Sequence, residues 1–142
     1  MKIKRVDIRC SVIQDTLALL QRKCLPADTP SDTNYGYWWI VYDAQNLPCA
    51  FSGLVRSVRW TNVGYLCRAG VLPSHRGHGL QKRLIRARIR QAKALGWNWL
   101  ITDTYLNPAS SNSLIACGFK LYEPLKPWGV KETLYWRLNL KD

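Results

Sequence analysis

The chain has 142 residues, with 21 Lys and Arg against 9 Asp and Glu, and 47% of its residues are hydrophobic. That length suits one domain, residues 1–142, with a core of its own, and the apolar content excludes a disordered polycation. A formal charge of +12 favours polyanions and anionic cofactors, with an attraction that weakens as salt rises.

Five cysteines, Cys10, Cys24, Cys49, Cys67 and Cys117, never stand closer than fourteen positions apart. That spacing suggests neither a disulfide framework nor a zinc knuckle, so reduced thiols and no metal are expected. The N-terminus runs into charge at Lys2, Lys4 and Arg5, and no apolar run approaches the roughly 18 residues of a membrane span. A soluble cytoplasmic protein is expected, without a removed leader or membrane contact, as a monomer or homodimer.

Residues 3–8 alternate as a strand does, and Ser11 with Gln14 forms a capping-box pattern ahead of Ile13, Leu17 and Leu20. A strand and then a helix are predicted. Residues 26–36 are rich in Pro, Asp, Ser and Asn and end that helix. Residues 37–42, 48–58 and 60–71 then read as three consecutive antiparallel strands. From residue 79 to 95 the period becomes helical, with Leu80, Leu84, Ala87 and Leu95 on one face. Lys82, Arg83, Arg86, Arg90 and Lys93 occupy the opposite face, while Arg88 stands out of pattern among the apolar positions. Gly96 stops the helix. Residues 97–105 form an apolar strand reached by a helical crossover, so it should pair in parallel with the strand before the helix. A short helix over 110–117 and strands at 119–122 and 133–140 close the chain. The predicted class is α/β, built on a mixed sheet.

The most informative segment is Ala69-Gly70-Val71-Leu72-Pro73-Ser74-His75-Arg76-Gly77-His78-Gly79-Leu80-Gln81, a strand running through a glycine turn into a helix. Glycines let the backbone approach a ligand, and the free amides and positive dipole end of a helix favour phosphate. Lys82 stands where a dinucleotide fingerprint needs its third glycine, and the Lys-Ser/Thr ending of a nucleotide P-loop is missing. Neither NAD nor ATP is indicated.

Val71, Pro73, Arg76, Gly77 and Gly79 stand at spacings that resemble the acetyl-CoA-binding motif of the GNAT family of N-acetyltransferases, written Q/R-x-x-G-x-G/A. Arg76, Gly79 and Gln81 occupy its defined positions, with Gln81 departing from the usual Gly or Ala. Asn107, Ser110 and Gly118-Phe119 match the family's spacing for the next strand end and short helix. The resemblance covers nearly the whole chain, most specifically residues 65–122, although the family's second helix is abbreviated or absent.

This resemblance implies a mixed sheet whose central strands, ending near Val71 and Leu106, splay to admit the pantetheine arm of acetyl-CoA. It implies that the backbone of Ala69, Gly70 and Val71 bonds that arm. The amides of Arg76, Gly77, His78, Gly79, Leu80 and Gln81 would hold the pyrophosphate, with Asn107 and Ser110 beside them. An oxyanion forming on a thioester needs a preorganised N–H donor, and the Val71 N–H is the candidate. The expected reaction is transfer of an acetyl group to a primary amine by direct attack, without metal.

An amine with a free pKa of about 10.4 must lose a proton before attack, and the departing thiolate must gain one. The family often places a Tyr for the second task at the position held here by Leu114. Tyr122 is the first replacement, with Tyr105 and Ser113 as others. The family's Glu on the last meander strand is also missing, and Asp103 is the nearest acidic candidate for base or amine anchor. His75 and His78 suit acid–base work by pKa but read more simply as loop residues, and Cys67 and Cys117 as small apolar fillers.

The charge favours an amine acceptor carrying negative charge elsewhere and disfavours a polycationic one. The basic helix face also admits nucleic acid as a partner, with Trp60 and Trp128 available for stacking. The competing class is therefore a non-catalytic nucleic-acid-binding protein on the same fold. A third reading joins the two, as acetylation of an amine linked to nucleic acid. Trp60, Tyr122 and Trp128 lie in segments that can border an acceptor.

Overall fold

A mixed sheet with helices on both faces is built from the elements β1 Lys2–Val6, α1 Ser11–Cys24, β2 Tyr37–Tyr42, β3 Pro48–Arg56, β4 Val63–Val71, α2 Leu80–Ala94, β5 Trp99–Tyr105, α3 Pro108–Ala116, β6 Lys120–Tyr122 and β7 Thr133–Asn139. The structure is a computed structural model that describes residues 1–141. The seven strands run in the order β1-β2-β3-β4-β5-β7-β6. Every neighbouring pair is antiparallel except β4 with β5, which α2 connects. All predicted elements are present with ends moved by a few residues.

The run Tyr-Trp-Trp-Ile-Val-Tyr of β2 forms a strand because aromatic and β-branched side chains fit a pleated surface. It is apolar on both faces because both are covered. Trp38 and Ile40 pack with Leu17, Leu20 and Phe51 under α1, whereas Trp39 and Val41 join Leu80, Leu84 and Leu100 under α2. α2 ends as its sequence predicts: Gly96 adopts φ +75°, its N–H bonds the Lys93 carbonyl, and the Trp97 N–H bonds that of Ala92. This Schellman pair satisfies two of the carbonyls left open at a helix end.

The start of α1 departs from the capping-box expectation. Cys10 is the N-cap and makes no side-chain bond to the helix. The Gln14 side chain instead donates to the carbonyls of Ile8 and Thr33, tying the helix to the loop before β2. That loop, residues 25–36, holds no helix. The side chain of Arg68 in β4 pins it, bonding the Ser31 hydroxyl at 2.7 Å, the Thr29 carbonyl at 2.9 Å and Asp28 at 3.2 Å.

Two irregularities in β4 position everything that follows. Ser52 pairs with Ala69 and Leu54 with Leu66, so Cys67 and Arg68 together face Gly53 in a β-bulge. β4 and β5 hold register for only three pairs, Val63 with Trp99, Gly64 with Leu100 and Tyr65 with Ile101. Beyond Tyr65 the two strands part, and the Thr102 hydroxyl bonds the Leu66 carbonyl across the start of the gap at 2.9 Å. The predicted splay is therefore present and opens from that point outward. Among the described residues no helix is long and apolar enough to cross a membrane.

Candidate functional site

The gap between β4 and β5 holds two adjoining cavities. The first, of about 610 Å³, is lined by the end of β4, the turn into α2 and the start of α3. The second, of about 440 Å³, lies nearer the point where the strands part, and the two share Leu25, Ala69, Gln81, Asn107 and Ser110.

Register decides which backbone groups enter the first cavity. The Leu72 N–H bonds the Cys49 carbonyl, so Ala50 and Val71 form a non-hydrogen-bonded pair of the antiparallel ladder. The N–H and C=O groups of Val71 and Ala69 therefore point away from β3, toward the space that β5 has left. Those of Gly70 point to β3, so Gly70 serves the site differently from its neighbours. A Cβ there would lie 2.6 Å from Cys24 Cβ, and its absence lets α1 approach the strand.

After β4 the chain makes one 3-10 turn at Pro73–His75 and enters α2 through Gly77 at φ +84° and Gly79 at φ +72°. A Cβ at either glycine would meet nothing within 4 Å, so both border open cleft. The N–H groups of residues 77–82 have no acceptor among the described residues. Six amides at a helix N-terminus, with Lys82 lining the same cavity, can accept a phosphate group. Arg76 bends back, its Nε 3.4 Å from the Val71 carbonyl.

α3 is held by its own sequence. The Asn107 side chain accepts from the Ser110 N–H at 3.1 Å as N-cap, and Pro108 takes the first turn, where its missing N–H costs nothing. Gln81 reaches across from α2 and donates to the Ser110 hydroxyl at 3.1 Å. The residue that departs from the family's small side chain thus ties α2 to α3.

Of the eleven residues predicted to hold the cofactor, only His78 does not line the first cavity, and it is exposed. His75 does line it, with its Nε2 3.1 Å from Asp43 in the β2–β3 turn. The Leu47 N–H is the main cause holding the Asp43 carboxyl below its usual range, with Gln45 N–H and His75 adding to it. A carboxyl lowered on folding contributes stability at neutral pH that is lost as pH falls through its folded value. The melting temperature is therefore expected to drop on acidification below about pH 4, and Asp43→Ala to flatten that slope. An unchanged slope in the variant counts against the assignment. Asp7, held at about 2 chiefly by its bond to Arg9, contributes to the same slope independently.

Asp103 lines the second cavity. Its Oδ2 accepts from the Tyr65 hydroxyl at 2.6 Å and from the Trp128 indole at 2.9 Å, which leaves Oδ1 free. Burial, then the Asp103 charge, pushes the Tyr65 phenol well above its ordinary value, so it stays a donor at neutral pH. Trp128 packs edge to face on Trp60 and on Tyr135, with ring centroids 6.2 Å and 4.7 Å away. Trp128 thus reaches Asp103 and Trp60 reaches Trp128, but neither ring is among the residues that line the second cavity.

Tyr122 does not join them. It lines a separate pocket with Leu121, Pro124 and Tyr135, and its hydroxyl is buried without a partner. β7 lies between β6 and β5, which sets Tyr122 one strand away from the gap. The Tyr122 hydroxyl therefore lies outside both cavities of the gap, away from the place a leaving-group acid would occupy. Leu114 lines the second cavity as an apolar wall, Tyr105 lines it as well, and Ser113 lines the first. Burial raises the thiols of Cys24, to about 11, and of Cys67, so neither is a thiolate at neutral pH.

Sequence reasoning did not single out Tyr65 as a partner of Asp103. Tyr65 carried no signal beyond its place in a strand, whereas Arg88 was visible as the one charge on an apolar helix face.

A sheet that parts beside a glycine turn and a cradle of open amides defines the acyl-CoA N-acyltransferase type of domain. The chain belongs to the acetyltransferase (GNAT) family, whose model matches residues 9–119. The ribosomal-protein-S18-alanine N-acetyltransferase of Escherichia coli is 13% identical and covers 98% of this chain and 93% of its own, with a TM-score of 0.76. An N-acetyltransferase from Staphylococcus aureus Mu50 is 17% identical over 99% and 98%, with a TM-score of 0.76. The yncA structure of Salmonella typhimurium, solved with its cofactor acetyl-CoA, is 18% identical over 100% and 95%, with a TM-score of 0.74. At these identities the likeness establishes the fold. No curated protein matches the sequence.

Proposed function

We propose that this protein transfers the acetyl group of acetyl-CoA to a primary amine by direct attack. One observation carries the reading: the cleft-facing N–H groups of Ala69 and Val71 lead straight into a run of acceptorless amides, five of which, those of Gly77, Gly79, Leu80, Gln81 and Lys82, belong to residues lining the same cavity. That order of donors suits a ligand with amides at one end and a pyrophosphate at the other. Acetyl-CoA supplies an activated thioester with a thiolate leaving group.

The chain's own groups then have separate tasks. The open amides of residues 77–82 bind the diphosphate, and Lys82 adds charge to that end. The Val71 N–H faces the thioester oxygen that gains negative charge. Asp103 Oδ1 accepts a hydrogen from the acceptor's ammonium group and holds it at the second cavity, with Tyr65 and Trp128 fixing the carboxylate. Water carries the first ammonium proton to bulk solvent, the nitrogen then forms the new C–N bond and the C–S bond breaks. The second proton, lost from that nitrogen as the amide forms, passes through water to the released thiolate, since Leu114 leaves the family's usual donor position apolar.

Lys82, Arg83, Arg86, Arg90 and Lys93 form an exposed stripe on α2, which supports the second reading of nucleic-acid binding. Thermal shift with acetyl-CoA and CoA at low and moderate salt separates the two. Specific binding raises the midpoint through mass action and survives moderate salt, and an amine panel should then release free thiol. Absence of any shift, with salt-steep affinity for nucleic acid, would leave the second reading in its place.

A further inference from the structure

We propose that the second cavity selects an acceptor bearing a carboxylate as well as its amine, a small zwitterion of the amino-acid kind, and that Arg88 binds the carboxylate. The inference rests on the acetyltransferase reading above and names the substrate class of that same site.

Four charged side chains line this cavity: Asp28, Arg68, Arg88 and Asp103. Asp28 and Arg68 pair with each other at 3.2 Å, and the rest of the Arg68 guanidinium is taken by Ser31 and Thr29. The other two charges stay apart. Among the described residues no ion pair involves Arg88 or Asp103.

Arg88 is only 3% exposed. Its Nε donates to the Leu84 carbonyl and its Nη1 to the Gly53 carbonyl, both at 3.2 Å, while Nη2 has no acceptor among the described residues. The Gly53 carbonyl lies at the β4 bulge, where the sheet is already irregular, so the guanidinium sits where β4 and β5 begin to part. Burial pushes its pKa down to about 10, which still leaves it charged at neutral pH.

A buried cation without a counter-ion is costly, and a guanidinium's paired N–H groups match a carboxylate. Asp103, which reaches this cavity from the β5 side, offers a free Oδ1. One fixed positive and one fixed negative charge in about 440 Å³ complement a small molecule carrying both an ammonium and a carboxylate.

The test uses full-length protein, acetyl-CoA, and a panel of α-amino acids and β-alanine, each paired with its own carboxamide. Thiol release is followed for the wild type, Arg88→Met and Arg88→Lys. The wild type should favour at least one acid over its amide by tenfold or more in kcat/KM. Arg88→Met should bring that ratio near one through a raised KM for the acid, leaving the amide's rate and the acetyl-CoA thermal shift unchanged. Arg88→Lys should retain part of the preference. Should the Met variant not fold, the wild-type ratio and the Lys variant decide. Amides equal to their acids, a preference that survives the loss of Arg88, or no turnover of any acid by protein that acetyl-CoA stabilises would each overturn the inference. If acetyl-CoA fails to stabilise the wild type, the acetyltransferase reading itself falls, and this inference with it.

Discussion

Gly79→Glu is expected to abolish acetyl-CoA binding, by a hundredfold or about 3 kcal/mol, and to leave a folded protein. Gly79 is the N-cap of α2 at φ +72°, and a Cβ there meets nothing within 4 Å. The added side chain therefore enters open cleft without displacing core. Its cost to folding is the left-handed backbone conformation alone, about 1–2 kcal/mol. Its effect on the cleft is larger, because a carboxylate then occupies the space over the amides of residues 77–82. It competes for those donors and repels a diphosphate.

Gly96→Ala is the matched control. Gly96 sits at φ +75° at the other end of α2, and a Cβ added there also meets nothing within 4 Å. The substitution should carry a similar folding cost and keep full affinity. Melting curves with and without acetyl-CoA measure both quantities at once, since the ligand-induced shift reports affinity and the unliganded midpoint reports stability. Should Gly79→Glu keep the wild-type shift, the cradle is not the phosphate site.

Order and type of the elements were legible because their causes are local. Aromatic and β-branched runs specify strands, a 3.6-residue period specifies α2, and Gly96 ends it through its own backbone conformation. The turn at residues 76–81 was legible for the same reason, as a strand, a glycine turn and a helix start in one short stretch, although the Arg76 N–H turns back to the Pro73 carbonyl and the open amides run from residue 77 to 82. What the sequence hid depends on distant chain. Gln14 fits a capping box until the loop at Thr33 offers it a carbonyl. Tyr122 lies next to the hairpin in sequence, but β7 inserts between its strand and β5 and removes it from the gap. Asp103 alternates out of the α2 face of β5, and only the placement of Tyr65 and Trp128 fixes where its carboxylate points. Arg88 was visible as an exception in a helical wheel, yet its meaning needed the bulge at Gly53 and the parting of two strands.

Val71→Pro is expected to lower kcat by about a hundredfold, near 3 kcal/mol, the usual effect of removing one oxyanion donor. Proline inside a strand normally breaks a ladder bond, but this position is an exception. Val71 and Ala50 form a non-hydrogen-bonded pair, so the Val71 N–H makes no bond to β3, and β5 has already diverged. Proline deletes only the cleft-facing donor, and the preceding Gly70 is already in the strand that an X-Pro bond favours. Gly70→Pro, one residue earlier, should instead unfold the sheet locally, because that N–H faces β3. Ala69→Pro shares the cleft-facing register of Val71 and tests which of the two donors meets the reacting oxygen. Single-turnover acetyl transfer with saturating acetyl-CoA separates loss of chemistry from loss of binding. A Val71→Pro enzyme within twofold of wild type, with Ala69→Pro slowed a hundredfold, would move the oxyanion contact to Ala69. Both variants at wild-type rate would mean that β4 amides do not polarise the thioester at all.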